Sequence, residues 1–480
     1  MSHHDSYAFF QLMKTRLCMP VLSYRPKRRQ LLFSLIYKRS MATRIEPSRV
    51  KYKFVEEVER LEYYVPGGYH PVILGDELCA GRYKIAHKLG FGRSATTWLA
   101  EDTDKGRLVA LKISTAESAD RTHEMEILLR LAKAESNLPG KAVVQNLLDS
   151  FTISGPNGTH QCLVTDAARL NINEVKEYPY HRLLHLSPAR AIATQLVLGV
   201  QFTHSQGIVH GDLHLGNILL QLPPDMRNMT RDQLRARTGE PAKELVVRED
   251  GAPLDPGVPP ELVIPIWLGI GSDKVALEDS LIKIADFGEA FDPRETKQYT
   301  CHTPLLLAAP ESRFTDAGNL DEPLSFPADV WTLACTIWDI FGCRPPFESF
   351  PVSQDEVTME HVEMLGKLPD RWWNKWEERS NWFDEDGRKN VKNSLRQWYG
   401  NTHRDWDARF AQYIRQPRER HGLDLFTEEE EMAFRSMMKM MLVLEPSKRA
   451  TIDEVVECEW MQQWGLPEWQ RMQEAIGISS

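Results

Sequence analysis

The chain has 480 residues, of which 42% are hydrophobic and 26% are charged, with 68 acidic residues against 58 basic ones. This composition excludes a disordered polymer, and because no apolar run approaches about 18 residues we expect no membrane span. The net charge of −10 argues against direct nucleic-acid binding and favours basic protein partners.

Residues 1–82 precede the first predicted sheet and divide into two parts. Residues 1–45 are basic and contain one acidic residue, Asp5. Such a composition is typical of a disordered tail or of a mitochondrial transit peptide, and a true start at Met41 is a third interpretation. Residues 46–82 form a leader that is acidic at first and then rich in turn-forming residues, so we expect the folded domain to begin near residue 83.

Residues 83–168 have the pattern of a small sheet-based lobe. Alternating residues predict strands over 82–89 and 96–100, and an apolar run predicts a third strand over 108–113. A stretch with helical period follows over 124–131. The order of strands, helix and further strands favours one sheet with a helix packed on it.

Residues 169–480 are predicted to form a larger, mainly helical lobe. Ser187 can cap a long helix, residues 330–341 are almost continuously apolar, and Thr451 with Glu454 forms a capping box. A sheet-based lobe followed by a helical lobe predicts a bilobal α+β fold.

Two stretches fit neither lobe. Residues 221–280 are rich in proline and charge, and a connection of this length is either a functional insertion or a flexible spacer. Residues 348–425 are dense in Trp, Arg and Glu, which favours a folded helical insertion.

A glycine-rich turn, Gly90-Phe-Gly92-Arg-Ser-Ala95, lies at the start of the first lobe. Dinucleotide-binding folds use similar glycine spacing but continue into a helix, whereas residues 96–100 continue as a strand. The turn is therefore predicted to be a hairpin whose backbone amides can approach phosphates without an intervening side chain.

Lys112 lies in the apolar third strand, below the predicted glycine loop. If its stem is buried, its ammonium needs a carboxylate partner, which Glu124 on the next helix can supply, with Glu126 as the alternative. An unpaired surface lysine is the competing interpretation.

The strongest signal is residues 208–219, where apolar residues bracket polar ones. A carboxylate and an amide five residues apart can accept a hydroxyl proton and hold a metal, so we predict Asp212 as the base and Asn217 as a metal ligand. His210, Asp212 and His214 alternate, and a transition-metal site is the alternative.

Asp286 ends a further apolar strand and is followed by Phe287 and Gly288. The glycine permits a sharp turn, which places the carboxylate to coordinate magnesium that bridges phosphates. Asp286 is therefore the second predicted metal ligand.

In this order the motifs resemble the protein-kinase signatures, namely the glycine loop, Val-Ala-Leu-Lys112, His-Gly-Asp212 with Asn217, Asp286-Phe-Gly and Ala-Pro-Glu311. The resemblance covers residues 83–460 and implies a bilobal protein-kinase fold that uses ATP and Mg²⁺. It also implies that Asp329 is a buried structural aspartate and that Arg449 pairs with Glu311.

The resemblance further implies which residues contact ATP. Adenine is expected against a hinge formed by Thr165, Asp166 and Ala168. The remaining expected contacts come from the strands and loop above the nucleotide: Leu89, Gly90, Gly92, Ala95, Ala110 and Lys112. The implied catalytic set is Lys112, Glu124, Asp212 and His214, with Asn217 and Asp286 on magnesium.

Within the protein kinases the chain most resembles the SR-protein kinases of the CMGC group. The similar features are Lys88-Leu-Gly-Phe-Gly, the leader motif Tyr64-Val-Pro-Gly-Gly-Tyr-His-Pro, the long segment before Asp286, and Leu365-Gly-Lys-Leu-Pro. This resemblance implies that the chain phosphorylates serines in Arg/Ser-rich splicing factors.

Three positions depart from the protein-kinase pattern: Ala95 replaces the third glycine, Gly211 replaces an arginine and His214 replaces a lysine. The arginine normally grips a phosphorylated activation segment, so we expect activity without that phosphorylation. A partly neutral imidazole stabilises transferred charge less than an ammonium does, so we expect slow turnover.

Two rival functions stay open on the sequence. The string from His210 to Asn217 is similar to aminoglycoside and choline phosphotransferases, which act on small molecules, although Glu311 and its neighbours favour protein substrates. A pseudokinase scaffold is the second rival. We expect a monomer in the cytoplasm, the nucleus or both, with mitochondrial targeting by the basic N-terminus as the alternative.

Overall fold

A six-stranded antiparallel sheet, with strand order β1-β2-β3-β4-β6-β5, forms the first lobe. Its strands are β1 Glu77–Leu78, β2 Tyr83–Phe91, β3 Ala95–Asp102, β4 Arg107–Ser114, β5 Leu147–Gly155 and β6 Gly158–Asp166. The three predicted strands are all present. Alternating residues such as Tyr83, Ile85, Trp98 and Val109 form the core on one side of the sheet.

The computed structural model describes residues 45–119, 121–319, 321–350, 352–399 and 404–477. Apart from Ile45, the predicted basic extension lies outside the described residues. None of the helices within these ranges is long and apolar enough to cross a membrane.

The second lobe is mainly helical, as predicted, and a three-stranded sheet of order β11-β8-β7 lies at the junction with the first lobe. These strands are β7 Ala168–Asn171, β8 Ile218–Gln221 and β11 Ile282–Ile284. The α-helices in chain order are α1 Ala116–Ala119, α2 Glu124–Lys133, α3 Ile172–Glu177, α4 Leu186–Ser205, α5 Pro224–Arg227, α6 Arg231–Thr238, α7 Glu311–Phe314, α8 Phe326–Phe341, α9 Gln354–Leu365, α10 Asp370–Trp373, α11 Arg396–Tyr399, α12 Trp406–Phe410, α13 Gln416–Arg420, α14 Glu428–Met441, α15 Ile452–Glu457 and α16 Leu466–Ala475.

Two buried helices, α4 and α8, form the centre of the larger core. The predicted cap at Ser187 is wrong, because α4 begins one residue earlier, at Leu186. The Ser187 hydroxyl instead donates to Glu468 at 2.7 Å. The side chain therefore binds a carboxylate far away in the sequence and does not cap the helix. The predicted capping box of Thr451 and Glu454 is present at the start of α15.

Residues 221–280 do not form a flexible spacer, because they fold and pack on the first lobe. They contain α5, α6 and a hairpin of β9 Lys243–Leu245 and β10 Glu261–Val263. One side of this insertion buries Leu234 and Ile266 against Leu99 of the sheet. The other side packs Val246, Val258 and Leu262 against the leader residues Leu61, Tyr64 and Tyr69. The burial of these side chains fixes the segment in place.

Residues 348–425 contain short helices joined by turns and a cluster of buried tryptophans: Trp372, Trp373, Trp376 and Trp382. The fully buried Arg409 pairs with Glu360 at 2.6 Å and binds the carbonyl of Pro346 at 2.8 Å. The buried arginine thus has both an ion-pair partner and a hydrogen-bond acceptor, within a region that is otherwise held by packing of aromatic rings.

Candidate active site

Three charged groups from both lobes meet at the cleft. Lys112 on β4 points its ammonium at Glu124, the first residue of α2, with Nζ 2.8 Å from each carboxylate oxygen. The same ammonium lies 2.9 Å from Asp286 Oδ1, just after β11. The alternative partner, Glu126, instead contacts His123 at 3.0 Å on the exposed side of the helix. The structure therefore gives Lys112 two carboxylate partners.

The pKa values in this cluster follow from burial opposed by charge. Burial alone would lower the pKa of Lys112, but Asp286 and Glu124 raise it above its ordinary value. The Lys112 ammonium holds the pKa of Asp286 below its usual range. Lys112 is thus charged at neutral pH, as a phosphate-binding ammonium must be.

Residues 208–219, called the catalytic loop below, are fixed by Asp329, near the start of α8. Its carboxylate accepts hydrogen bonds from the amides of His210 at 2.6 Å and Gly211 at 2.9 Å, and it contacts His204 Nε2 at 3.0 Å. Burial would raise the pKa of Asp329, but the His204 and Gly211 contacts hold it below its ordinary value. The buried carboxylate therefore stays charged and sets the backbone of the loop.

Asp212 presents an acceptor atom that the described residues leave without a partner. Its Oδ1 atom is buried and accepts no hydrogen bond in the described part of the chain. Asn217 Nδ2 donates to the Asp212 carbonyl at 2.8 Å and lies 3.4 Å from Oδ2, which orients the side chain. A buried, unsatisfied carboxylate oxygen fits the acceptance of a substrate hydroxyl proton.

His214 lies beside Asp212 in the same loop. Its Nδ1 accepts a hydrogen bond from the Gly216 amide at 3.0 Å. Its Nε2 lies 3.5 Å from Asp212 Oδ2. The imidazole thus lies next to the predicted base, at the position where the protein-kinase pattern has a lysine.

Oxygen donors suit magnesium at this site. Asp286 contributes a carboxylate whose side chain is 52% exposed, and Asn217 contributes an amide oxygen. The transition-metal alternative fails, because His210 is buried, its Nε2 faces the carbonyl of Ala285 at 3.2 Å, and its Nδ1 accepts from the Asp212 amide. Within the described ranges, no group of three His, Cys, Asp or Glu side chains forms a metal cluster.

The glycine loop leaves open space where phosphates would lie. The Gly92 amide donates to the Ala95 carbonyl at 2.8 Å, which closes the hairpin. A Cβ atom at Gly90 or Gly92 would meet no atom of the described residues within 4 Å. Contacts within the described part of the chain therefore do not require these glycines, and their lack of side chains fits the approach of a ligand.

The predicted hinge lies between β6 and β7. Thr165 is paired with Ala110 across the β4–β6 ladder, and its hydroxyl accepts from Gln145 Nε2 at 2.9 Å. Asp166 is the last residue of β6, and Ala168 is the first of β7. Leu89, on β2, is half-buried beside the insertion 221–280. Thr165, Asp166 and Ala168 therefore lie where the chain passes from the first-lobe sheet into the second lobe.

Gly211 is required by the backbone. Its φ is +77°, and an added Cβ would lie 2.7 Å from the carbonyl oxygen of Glu289. An arginine is therefore excluded at this position of this backbone.

Arg130 of α2, which no sequence motif indicates, binds Asp292 of the segment after Asp286 at 2.9 Å. No local pattern marks this pair, since its members are 162 residues apart.

The segment beyond the catalytic loop is held by a buried ion pair. Arg449 donates to the two carboxylate oxygens of Glu311 at 2.7 and 3.0 Å, and also to the Pro327 carbonyl at 2.6 Å. The Thr303 hydroxyl donates to the Gly211 carbonyl at 3.0 Å. These contacts form a fixed surface next to Asp212.

A family model for the protein kinase domain matches residues 83–229 and 273–461, which together make up more than half of the chain. The chain belongs to the protein kinase family. The unmatched residues 230–272 of this kinase fall within the folded insertion.

The similar curated proteins include SR-protein kinases, which confirms the resemblance that the sequence motifs indicate. A serine/threonine-protein kinase SRPK of Physarum polycephalum is 27% identical over 85% of this chain and 92% of its own length. Protein kinase dsk1 of Schizosaccharomyces pombe is 33% identical over 40% of this chain and 38% of its own. Human SRSF protein kinase 3 is 32% identical over a region that covers 34% of this chain and 30% of its own length.

A crystal structure of a kinase domain is also similar, with a TM-score of 0.56 and 15% sequence identity. The aligned region covers 82% of this chain and 98% of the chain in that structure. That likeness confirms the bilobal kinase fold. The family model and the curated relatives, rather than this structure, identify the chain as an SRPK-like serine/threonine protein kinase. The family acts on protein substrates, so the small-molecule phosphotransferase alternative is not supported.

Proposed function

We propose that this kinase transfers the γ-phosphoryl group of ATP, with Mg²⁺, to serine hydroxyls of Arg/Ser-rich proteins such as splicing factors. The observation that carries the proposal is the buried Oδ1 of Asp212, which has no hydrogen-bond partner among the described residues, together with the formed Lys112–Glu124 ion pair. The name of human SRSF protein kinase 3 and the net charge of −10 support a basic, serine-rich substrate.

In this mechanism the chain positions the reactants and stabilises charge. Magnesium, when bound, neutralises charge on the phosphates, and Asn217 and Asp286 would hold it. Lys112, kept charged by its carboxylates, would hold the phosphates below the glycine loop. Asp212 Oδ1 would accept the proton of the incoming serine hydroxyl.

No specific observation favours the pseudokinase scaffold. All five residues of the predicted catalytic and metal-binding set are present: Lys112, Glu124, Asp212, Asn217 and Asp286. Lys112 pairs with Glu124 and Asp286, and Asn217 donates to the carbonyl of Asp212.

We also propose a monomer that acts in the cytoplasm or the nucleus, which light scattering and localisation of a tagged full chain would test.

The direct test is transfer from labelled ATP and Mg²⁺ to an Arg/Ser-repeat peptide. Asp212→Asn should lower kcat by about 10²- to 10⁴-fold, because the amide cannot accept the proton. Asp232→Asn is the matched control, since that side chain is 85% exposed on α6, and it should leave kcat unchanged. A Lys/Ser-repeat peptide tests the preference for arginine.

Equal rates for Asp212→Asn and the wild type would disprove the role of the base. Transfer to Lys/Ser and Arg/Ser peptides at one rate would remove the substrate class but leave the kinase activity. ATP binding without transfer to any peptide would favour the scaffold.

We further propose that activity does not need phosphorylation of the segment between Asp286 and Glu311. Gly211 leaves no place for a phosphate-gripping arginine, and the Arg130–Asp292 pair already ties α2 to this segment with a built-in carboxylate. Phosphatase treatment of the purified kinase should leave kcat unchanged, and a loss of activity on treatment would contradict the proposal.

A further inference from the structure

The leader motif over residues 64–71 contacts the glycine loop directly. The Tyr69 hydroxyl donates to the Gly92 carbonyl at 2.7 Å, between strands β2 and β3. Tyr69 is only 5% exposed, and burial raises the pKa of its phenol above the ordinary value. The hydroxyl is therefore protonated, and available as a donor, across the working pH range.

The Tyr69 side chain belongs to a fixed part of the leader. Its backbone amide donates to the Tyr63 carbonyl at 3.0 Å, and its carbonyl accepts from the buried Asn157 side chain at 2.7 Å. Its ring packs against Tyr64, with centroids 5.5 Å apart. The glycine loop is thus bonded to a point that is itself anchored.

The same turn of the leader supports the residues before α2. The amides of Glu117 and Ala116 donate to the carbonyls of Gly67 and Gly68 at 2.8 and 3.1 Å. Gly68 cannot carry a side chain, because a Cβ there would lie 1.8 Å from the Tyr63 carbonyl oxygen. One turn therefore contacts both the glycine loop and the connection that leads to Glu124.

The strand leading into the loop is anchored separately. Lys88 forms a fully buried ion pair with Glu59 of the leader, and its carbonyl accepts from the Ile266 amide of the insertion at 2.8 Å. The Tyr69 bond adds a contact at the loop itself, four residues further along the chain. Strand β2 is thus attached to the leader through Lys88 and Glu59, and the glycine loop is attached to it through Gly92 and Tyr69.

We propose that Tyr69 is a positioning residue that orders the glycine loop before the nucleotide binds, an inference that rests on the proposed use of ATP. A loop that is already ordered loses less conformational freedom when it closes over phosphates. Loss of the hydroxyl should therefore weaken nucleotide binding more than it slows phosphoryl transfer.

The test compares Tyr69→Phe with Tyr63→Phe, which removes a hydroxyl from the same leader beside Arg60. Amide hydrogen exchange of residues 88–95 is measured without nucleotide, and KM for ATP and kcat are measured with the Arg/Ser peptide. In Tyr69→Phe, exchange of the loop and KM for ATP should both rise about two- to ten-fold, the value of one hydrogen bond. Its kcat should change less than about two-fold, and Tyr63→Phe should match the wild type.

Unchanged loop exchange and unchanged KM in Tyr69→Phe would overturn the proposal. Faster exchange spread over the whole first-lobe sheet would also overturn it, because that result indicates a merely structural role. Exchange is read without nucleotide, so a wild-type chain that transfers no phosphate would refute the proposed function and still leave the Tyr69 effect measurable.

A mutation-free measurement covers the case in which Tyr69→Phe does not fold. Native-state exchange of the wild-type chain is followed in increasing denaturant. Residues 67–70 and 88–95 should open as one unit with one free energy. Separate openings of the two segments would overturn the proposal.

Discussion

The two loops that meet at the cleft are anchored in different ways. The catalytic loop is held from within its own lobe, by the buried carboxylate of Asp329 on α8. The glycine loop and its strand are held from outside the sheet, by Tyr69 and Glu59 of the leader and by Ile266 of the insertion. The group that does the chemistry thus depends on the core, while the nucleotide loop depends on added segments.

This difference indicates at which positions substitutions can change nucleotide binding without destroying catalysis. A buried carboxylate with three donors cannot be altered without a large loss, because each donor would be left unsatisfied. The leader and the insertion contact the glycine loop through few bonds, so changes there should act in small steps on nucleotide binding.

The largest expected effect comes from Asp329→Asn, which breaks the anchor of the catalytic loop. The amide cannot accept from all three donors, so we expect a loss of about 2–4 kcal/mol in the free energy of unfolding and a strong fall in kcat. Urea unfolding and peptide phosphorylation measure the two effects.

The control for this change is Asp339→Asn, also on α8, whose carboxylate pairs with the buried Lys176 at 2.7 Å. It should lower the free energy of unfolding without a comparable loss of kcat in the folded fraction. Equal losses of kcat in both variants would contradict the special role of Asp329.

The next effect concerns the insertion. Leu234 of α6 is 1% exposed against the first lobe, so Leu234→Ala should cost about 2–5 kcal/mol in the free energy of unfolding. Leu245→Ala is the matched change in the same insertion, at a side chain that is 72% exposed, and it should cost little. Equal midpoints in urea for both variants would show that the insertion does not support the lobe.

A smaller effect is expected from His214→Lys. The imidazole Nε2 of the wild type lies 3.5 Å from Asp212 Oδ2, so a lysine at this position would place an ammonium beside that carboxylate. We expect kcat to rise up to about ten-fold with little change in stability. The control is His214→Gln, and a kcat for the lysine variant at or below that of the glutamine variant would rule out a deficit of charge.

The smallest effect is a pH dependence of stability at His302, after the second predicted metal ligand Asp286 in the chain. The hydrogen bond to Glu289 raises the pKa of His302 above 6.5, so its contribution to stability is full below that pH and is lost as pH rises through the higher, folded value. Both side chains are partly exposed, so the loss should stay below about 1 kcal/mol. Unfolding of the wild type and His302→Gln at pH 6 and pH 9 would show it, and an identical pH dependence in both would contradict it.

Much of the fold and the site was accessible from the sequence. The strands β2, β3 and β4 and the buried face of α2 follow from periods of two and of about 3.6 residues, which are local properties. The motifs around Lys112, Asp212 and Asp286 were recognisable because their chemistry needs fixed spacing along the chain.

Other features were beyond local patterns. Ser187 has the composition of a cap, yet its hydroxyl turns to Glu468, which lies 281 residues away. The composition of residues 221–280 is compatible with a flexible spacer, because few of its residues are apolar and these are scattered among charged ones. In the structure these apolar residues pack with Leu99 and Tyr64. Whether such residues find a partner surface depends on packing that no short window reveals.

The kinase family, the order of the reactive groups and the periods of the main elements can be read from the sequence, because they depend on neighbours along the chain. The packed fold, in contrast, brings together groups that are far apart in the chain: Tyr69 with Gly92, Glu59 with Lys88, and Arg130 with Asp292, over separations of 23, 29 and 162 residues. Such pairs form because the packed core fixes the places of their elements, and the core is a property of the whole chain.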